Sequence, residues 1–343
     1  MADHDPRRPA TGAALTLVAD VGGTNTRVAF ATGGQVDTAA ARKFRNADAA
    51  GLAEVLGRFH AEAGAPPLTG ASVAVAGPVH GGTGQLTNLD WHFDAASLGA
   101  ALGLAPARVG ILNDLQAQGH ALGFLKPGSA TEVIAATRDP AGTQLVIGIG
   151  TGFNAAPVHP LPGGHRLVAP SECGHVTLPA RTAEEIELSR FLARDNGFPG
   201  GFPGVEEALS GRGLGHVDAF LAATGPGGLP ARDSTQIIAA LAEGEPRAHR
   251  AAALFVTLLG RVAGDLALTH LPFGGIALIG GMARALAPHF AAGGFTAAFR
   301  DKGRFSGFME SFAVDLVEDD LAALIGCAHH QLGLSGHESD KLS

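Results

Sequence analysis

Two segments of this chain repeat one pattern. Leu17 to Phe30 reads LVADVGGTNTRVAF and Leu145 to Val158 reads LVIGIGTGFNAAPV; each is an apolar strand, a glycine-bent turn and a second strand. With Gly22 laid on Gly150, Leu17-Val18 falls on Leu145-Val146. Such a repeat points to an internal duplication, one hairpin in each of two domains. The turn chemistry suits a nucleotide phosphate. Gly22 and Gly23 allow backbone N–H groups to close on an anion, and Thr24 and Asn25 add side-chain donors. Asp20, where the strand meets the turn, can hold Mg²⁺ through water. Taken singly, the first copy reads equally well as an ordinary Gly-Gly hairpin. The second copy, with Gly148, Gly150, Thr151 and Gly152 at its bend, favours a nucleotide clamped between two turns. It is no Rossmann fingerprint, because Phe153-Asn154-Ala155-Ala156-Pro157 continues extended and the proline discourages the required helix.

Two domains fit a chain of 343 residues. With 46% hydrophobic and 16% charged residues and 50 glycines, it reads as apolar strands and helices joined by glycine-rich turns, an α/β enzyme. A net charge of −8 and a pI near 6.0 argue against nucleic acid or an anionic membrane as the main partner. Cys173 and Cys327 have no ligand spacing, and MADHDPRRPATG lacks a signal-peptide core. No uninterrupted apolar run approaches the ~20 residues of a membrane span, so a cytoplasmic location is expected.

Along the chain we expect strands at 15–20, 26–31 and 38–44, a helix at 49–63, a strand at 70–76, a loop to Asp90, a helix at 94–102 and a strand at 108–113. The opening hairpins followed by βαβ units imply a mixed sheet, and the order restarts from Thr143. Thr182 to Glu185 is a capping box opening a helix to about Asp195; Arg247 to Leu271 is helical by periodicity; a strand at Gly275–Ile279 meets Gly280-Gly281. Leu321, Leu324, Ile325 and Ala328 share one face of a last helix that must dock on a preformed fold.

The chemistry is expected at Ile111-Leu112-Asn113-Asp114, where an apolar strand ends in an amide and a carboxylate ahead of a helical pattern. Beside a γ-phosphate, Asp114 can accept the proton of an attacking hydroxyl while Asn113 orients the same molecule. The alternative is that Asp114 is a helix N-cap. Ser171-Glu172-Cys173-Gly174-His175 supplies another carboxylate and an imidazole, and Leu86-Thr87-Asn88-Leu89-Asp90-Trp91 an amide beside an aromatic. Together these suit a polyhydroxylated ligand, whose hydroxyls both donate and accept. A packed His175 and a core Trp91 are the plainer alternatives. In the ligand-lining case, Trp91 fluorescence would quench on sugar addition.

From about Leu15 to Leu334 the chain resembles the bacterial glucokinase family of the hexokinase, actin and heat-shock ATPase superfamily. The pieces arrive in that family's order: Asp20-Val-Gly-Gly-Thr-Asn25, Thr87-Asn88, Asn113-Asp114, Gly150-Thr-Gly152, Glu172 with Gly174-His175, Leu209-Ser-Gly211, Gly280-Gly281 and Asp301-Lys-Gly-Arg-Phe305. The resemblance implies ATP-dependent phosphoryl transfer to O6 of glucose. Asp114 would be the general base, and Asn88, Asn113, Glu172, His175 and Glu206 would bind sugar hydroxyls. Asp20, Gly22, Gly23, Thr24, Asn25, Gly150, Thr151 and Gly152 would line the phosphates and Mg²⁺, with Gly280 and Gly281 under the adenosine. The implied fold is a two-domain actin-like ATPase (ribonuclease H-like) with mixed sheets flanked by helices and an interdomain active site. Its small domain would span 15–123 plus 319–334 and its large domain 124–318, with tails at 1–14 and 335–343. A homodimer is implied as well.

The chain departs from the family pattern at Asn154 and Cys173, where glycine is usual, and its 76–85 loop lacks an acid often seen there. With lysine only at 43, 126, 302 and 341 there is no GxxxxGK[ST], which removes P-loop kinases. Two distant cysteines cannot build the cysteine-rich zinc element of the related ROK kinases, so no structural zinc is expected. His329 and His330 read as surface and packing residues. A kinase for mannose, fructose or an amino sugar, and a non-catalytic sugar-responsive regulator, are the competing readings.

Overall fold

The structure is a computed structural model that describes residues 14–86, 89–195, 203–225 and 229–339. The chain divides into two compact units, one of residues 1–126, 160–168 and 319–343, the other of 127–159 and 169–318.

The first unit opens with β1 (Leu15–Val21) and β2 (Asn25–Thr32), paired antiparallel from Leu15↔Thr32 to Val21↔Thr26. The expected third strand is split into β3 (Gln35–Val36) and β4 (Arg42–Arg45), both on β2. Helix α1 (Leu52–Glu62) leads to β5 (Gly70–Val75), parallel to β1. The segment expected as a loop instead forms a small antiparallel sheet, β6 (Val79–His80), β7 (Thr83–Gln85) and β8 (His92–Asp94), which ends in helix α2 (Ala95–Leu102) capped by Asp94. Strand β9 (Val109–Asn113) lies parallel on β5 and runs into helix α3 (Asp114–Ala121). The last helix, α10 (Ala322–Ser339), returns to this unit and packs Leu324, Cys327 and Ala328 against Val18, Ala29 and Leu112.

In the second unit β10 (Ala130–Ile134) precedes the hairpin of β11 (Gln144–Ile149) and β12 (Phe153–Pro160), paired from Gln144↔Val158 to Ile149↔Phe153. A short strand, β13 (Arg166–Val168), lies within 160–168, which the sequence reading assigned to the later domain. It belongs with the first unit, where Arg166 stands over the Phe124 ring at 5.0 Å and Gln116 donates to the Val168 carbonyl at 3.2 Å. Helices α4 (Ala183–Asp195), α5 (Gly211–Thr224), α6 (Ser234–Ala242) and α7 (Pro246–His270) follow. Then come β14 (Gly275–Ile279), α8 (Gly281–Leu286), α9 (Phe295–Arg300) and β15 (Val314–Val317).

The duplication read from the turns extends to the sheets. In one the order runs β2-β1-β5-β9 and in the other β12-β11-β14-β15, each an antiparallel hairpin extended by parallel strands. Helix α7 is long and apolar enough to cross a membrane by length and composition, although Arg261 and Asp265 interrupt its apolar run. Yet 67% of its apolar window is buried, and Phe255, Leu258, Leu259 and Val262 sit in the second unit's core. Burial in a soluble-type core satisfies the same hydrophobic drive that a bilayer would.

Candidate active site

The strand register levels the ends of the first sheet. Val21, Val75 and Asn113 stand opposite one another on the parallel strands β1, β5 and β9. At roughly 4.8 Å between strands, the turn after β1 and the start of α3 share one carboxyl edge, about 10 Å apart. In parallel α/β sheets this edge is where ligands bind.

The first turn is knit from beneath by a residue that the sequence reading missed. Asn46 is almost fully buried; its amide donates to the carbonyls of Gly22 (2.8 Å) and Gly23 (3.3 Å), and its Oδ1 accepts from the Thr26 hydroxyl (2.8 Å). Its own N–H donates to Thr24 O at 2.9 Å, and Gly22 N–H to Asn25 O at 3.0 Å. An amide immediately following a strand paired to the turn's own strand was the available signal. Thr24 is exposed. Burial raises the Asp20 carboxyl above the ordinary carboxylate range, opposed by Arg27 directly across the hairpin. Arg27 in turn donates to the Asp320 carbonyl at 2.7 Å, where the chain enters α10.

At the other end of that edge the helix cap is Asn113, not Asp114. Asn113 Oδ1 accepts the Gln116 N–H at 2.6 Å and Gln116 Oε1 accepts the Asn113 N–H at 3.3 Å, a reciprocal capping box. Only the oxygen of the Asn113 amide is used by the cap. Asp114 is the first helical residue, half-buried, its Oδ1 accepting the Leu115 N–H at 2.8 Å.

In the second unit the turn at Gly150-Thr151-Gly152 is closed by Gly150 N–H to Gly152 O at 2.9 Å. A Cβ on Gly152 would meet Glu206 Oε2 at 2.6 Å, so the missing side chain is what lets that carboxylate lie over the turn. Glu206 accepts the Phe153 N–H at 2.9 Å and is 3.3 Å from Arg212. Ser210 caps α5 through its hydroxyl, and Gly211 N–H donates to Gly150 O at 2.8 Å, so the Leu209-Ser-Gly211 motif fastens α5 to the turn. Gly280 has φ +104 and a Cβ there would stand 2.3 Å from Ile149 O, whereas one on Gly281 would meet open space. Glu172 and His175 flank Cys173 and Gly174 in a tight turn, and both side chains are exposed.

Other expected residues are placed differently. Asn88 lies outside the described residues. Trp91 is buried with Leu86, Phe93 and Leu98 in the first unit's core, so the plainer reading of it holds. Asp301 accepts from Arg181 and Arg261, and Lys302 binds Asp265 and the Arg261 carbonyl, which makes the Asp301–Phe305 motif a structural lock. His330 does more than pack: its Nδ1 is 3.1 Å from Ser72 Oγ and its ring meets the buried His120 edge-on at 5.0 Å.

Among the described residues no cluster of three or more acidic, histidine or cysteine side chains could cage a metal ion. A single partly buried carboxylate, Asp20 beside the first glycine turn, would fit an ion that keeps most of its water.

The Glucokinase family profile matches residues 17–333. The chain is similar to a protein named glucokinase from Mesorhizobium japonicum, 34% identical over 91% of this chain and 90% of that one. It is likewise similar to one from Saccharophagus degradans, 30% identical over 91% and 96%. Among solved structures, a glucokinase from an Antarctic psychrotroph superposes with a TM-score of 0.83 at 28% identity, covering 93% of this chain and 99% of that one. A Balamuthia mandrillaris glucokinase in complex with glucose shares the fold, with a TM-score of 0.77 at 22% identity over 94% and 95%. With its duplicated sheets and carboxyl-edge turns, the protein has the two-domain actin-like ATPase fold and belongs to the glucokinase family.

Proposed function

We propose that this protein transfers the γ-phosphoryl group of ATP to O6 of glucose, giving glucose 6-phosphate and ADP. The observation that supports the reading is the level register of Val21, Val75 and Asn113, which brings the Gly22–Asn25 turn and Asp114 to one sheet edge. The Asp114 carboxylate takes the proton of the O6 hydroxyl as the O6–phosphorus bond forms; the bridging bond to the β-phosphate breaks and ADP leaves with that electron pair. The Asn113 amide, whose oxygen is fixed by the cap, offers N–H donors to the same sugar. Glu172, His175, Glu206 and Asn88 bind other hydroxyls. Gly22 to Asn25 and Gly150 to Gly152 hold phosphates, and Gly280 and Gly281 underlie the adenosine. Asp20 would hold Mg²⁺ through water, and the ion would supply neutralisation of phosphate charge. We also propose a homodimer in the cytoplasm.

The test is coupled detection of ADP release with Mg-ATP across glucose, mannose, fructose, glucosamine and N-acetylglucosamine, with a sugar-free blank. Glucose-dependent turnover is expected, and Asp114→Ala lowers kcat by about 10²- to 10⁴-fold while glucose still binds in calorimetry. Turnover with another hexose only would change the substrate but keep the mechanism. Absence of turnover with every sugar, or an active Asp114→Ala enzyme, would overturn the reading.

A further inference from the structure

Asn154, the second residue of β12, engages one segment, Ser171 to Cys173, through both ends of its amide. Its amide N–H donates to the Ser171 carbonyl. Its Oδ1 accepts the Cys173 backbone N–H at 3.1 Å and lies 3.0 Å from the Ser171 hydroxyl and 3.5 Å from the Cys173 thiol. The Ser171 hydroxyl, which has one proton, also reaches Ala155 O on the same strand. Glu172 stands between these two anchored residues, so both peptide units flanking it are tied to β12. On the far side Gly174 approaches β12 so closely that a Cβ would stand 2.0 Å from Phe153 O. The His175 N–H closes the turn onto Glu172 O at 3.1 Å. Phe153, one residue before Asn154, also holds the Glu206 carboxylate through its N–H.

We infer that Asn154 is a positioning residue for sugar recognition: it clamps the turn carrying Glu172 and His175 to the strand that leaves the second phosphate turn. The inference rests on the proposed sugar-binding role of Glu172 and His175. An amide that pairs both its donor and its acceptor with one segment fixes that segment in position and in rotation. Removing it leaves the Ser171 carbonyl and the Cys173 N–H without their partner. The exposed Glu172 carboxylate then samples orientations that fit the hydroxyl pattern less well. The second phosphate turn is closed by its own hydrogen bond, Gly150 N–H to Gly152 O, so the nucleotide is affected less.

Two readouts on Asn154→Ala test this. Without any substrate, iodoacetamide alkylation of Cys173, followed by peptide mass spectrometry with the fully buried Cys327 as internal control, is expected to be about tenfold faster than in the wild type. In the kinase assay the KM for glucose is expected to rise about tenfold, with the KM for ATP within about twofold and kcat reduced less than glucose affinity. Ser171→Ala, which removes one arm and leaves the amide, is expected to give a smaller rise in glucose KM and covers the case in which Asn154→Ala does not fold. A folded Asn154→Ala with unchanged alkylation would overturn the clamp. Unchanged glucose KM in either folded variant, or equal rises for glucose and ATP, would overturn its role in sugar recognition. A wild-type protein inactive on every sugar would instead overturn the proposed function, and the alkylation rates would still decide the clamp.

Discussion

Gly326 and Ala117 bring two helices to backbone contact: a Cβ on Gly326 of α10 would stand 1.6 Å from the carbonyl oxygen of Ala117 on α3. Helix α3 begins with Asp114, so the last helix of the chain seats the element that carries the proposed base. Gly326→Ala is expected to push α3 away from α10, destabilising the protein by about 1–3 kcal/mol and reducing kcat through misplacement of Asp114. Thermal unfolding and steady-state rates measure the two effects; an unchanged Tm would show that the contact yields freely.

Gly280→Ala tests the nucleotide side. Both the positive φ and the approach to Ile149 O exclude a side chain, so the junction of β14 and α8 must shift from β11. We expect a cost of about 1–3 kcal/mol and a KM for ATP that rises more than the KM for glucose. Gly281→Ala, whose Cβ would meet open space in the protein, keeps stability and loses only nucleotide affinity.

Asn46→Ala removes the amide that holds the Gly22 and Gly23 carbonyls and strands the Thr26 hydroxyl in a buried position. The expected loss is about 1–3 kcal/mol together with weaker ATP binding. Asn46→Asp, which keeps the acceptor for Thr26 but sets a carboxylate against two carbonyls, is expected to be worse than alanine in ATP affinity.

Acid sensitivity follows from the buried imidazoles. Burial lowers His120 to about 3, assisted by His330, Arg166 and His329, and lowers His330 to about 4. Unfolded, each titrates near 6.5. Between that value and 3–4 the unfolded chain therefore binds more protons than the folded one, and stability falls as pH drops. Each group contributes up to about 1.4 kcal/mol per pH unit within its window. Tm against pH should decline below about pH 6.5 and decline less steeply in His120→Leu; parallel curves would remove the pair as the cause.

The duplicated hairpins with their glycine turns and the strand–helix junction at Asn113-Asp114 were legible in the chain, because turn patterns are written in consecutive residues. Local spacing also gave the Thr182–Glu185 capping box, which forms as expected, with Glu185 N–H on Thr182 Oγ1 at 3.2 Å and Thr182 N–H on Glu185 Oε2 at 3.1 Å. The same locality misread the stretch from Val79 to Asp94. Its strands of two or three residues are set by pairing with one another rather than by their own pattern. It also offered Asp114 as the alternative cap where the fold uses Asn113, since either residue type serves and only backbone geometry chooses.

The sequence by itself determined the fold class and the family, since these depend on residue types at short spacing. Tertiary structure decided the rest. It placed Asn46 under the first turn and Gly326 on Ala117. It put Trp91 in the core, and it joined Asn154 to Cys173, two departures from the family pattern that are 19 positions apart in the chain and hydrogen-bonded in the fold. Pairings of this kind arise from strand register and helix docking, which depend on how distant apolar faces bury one another.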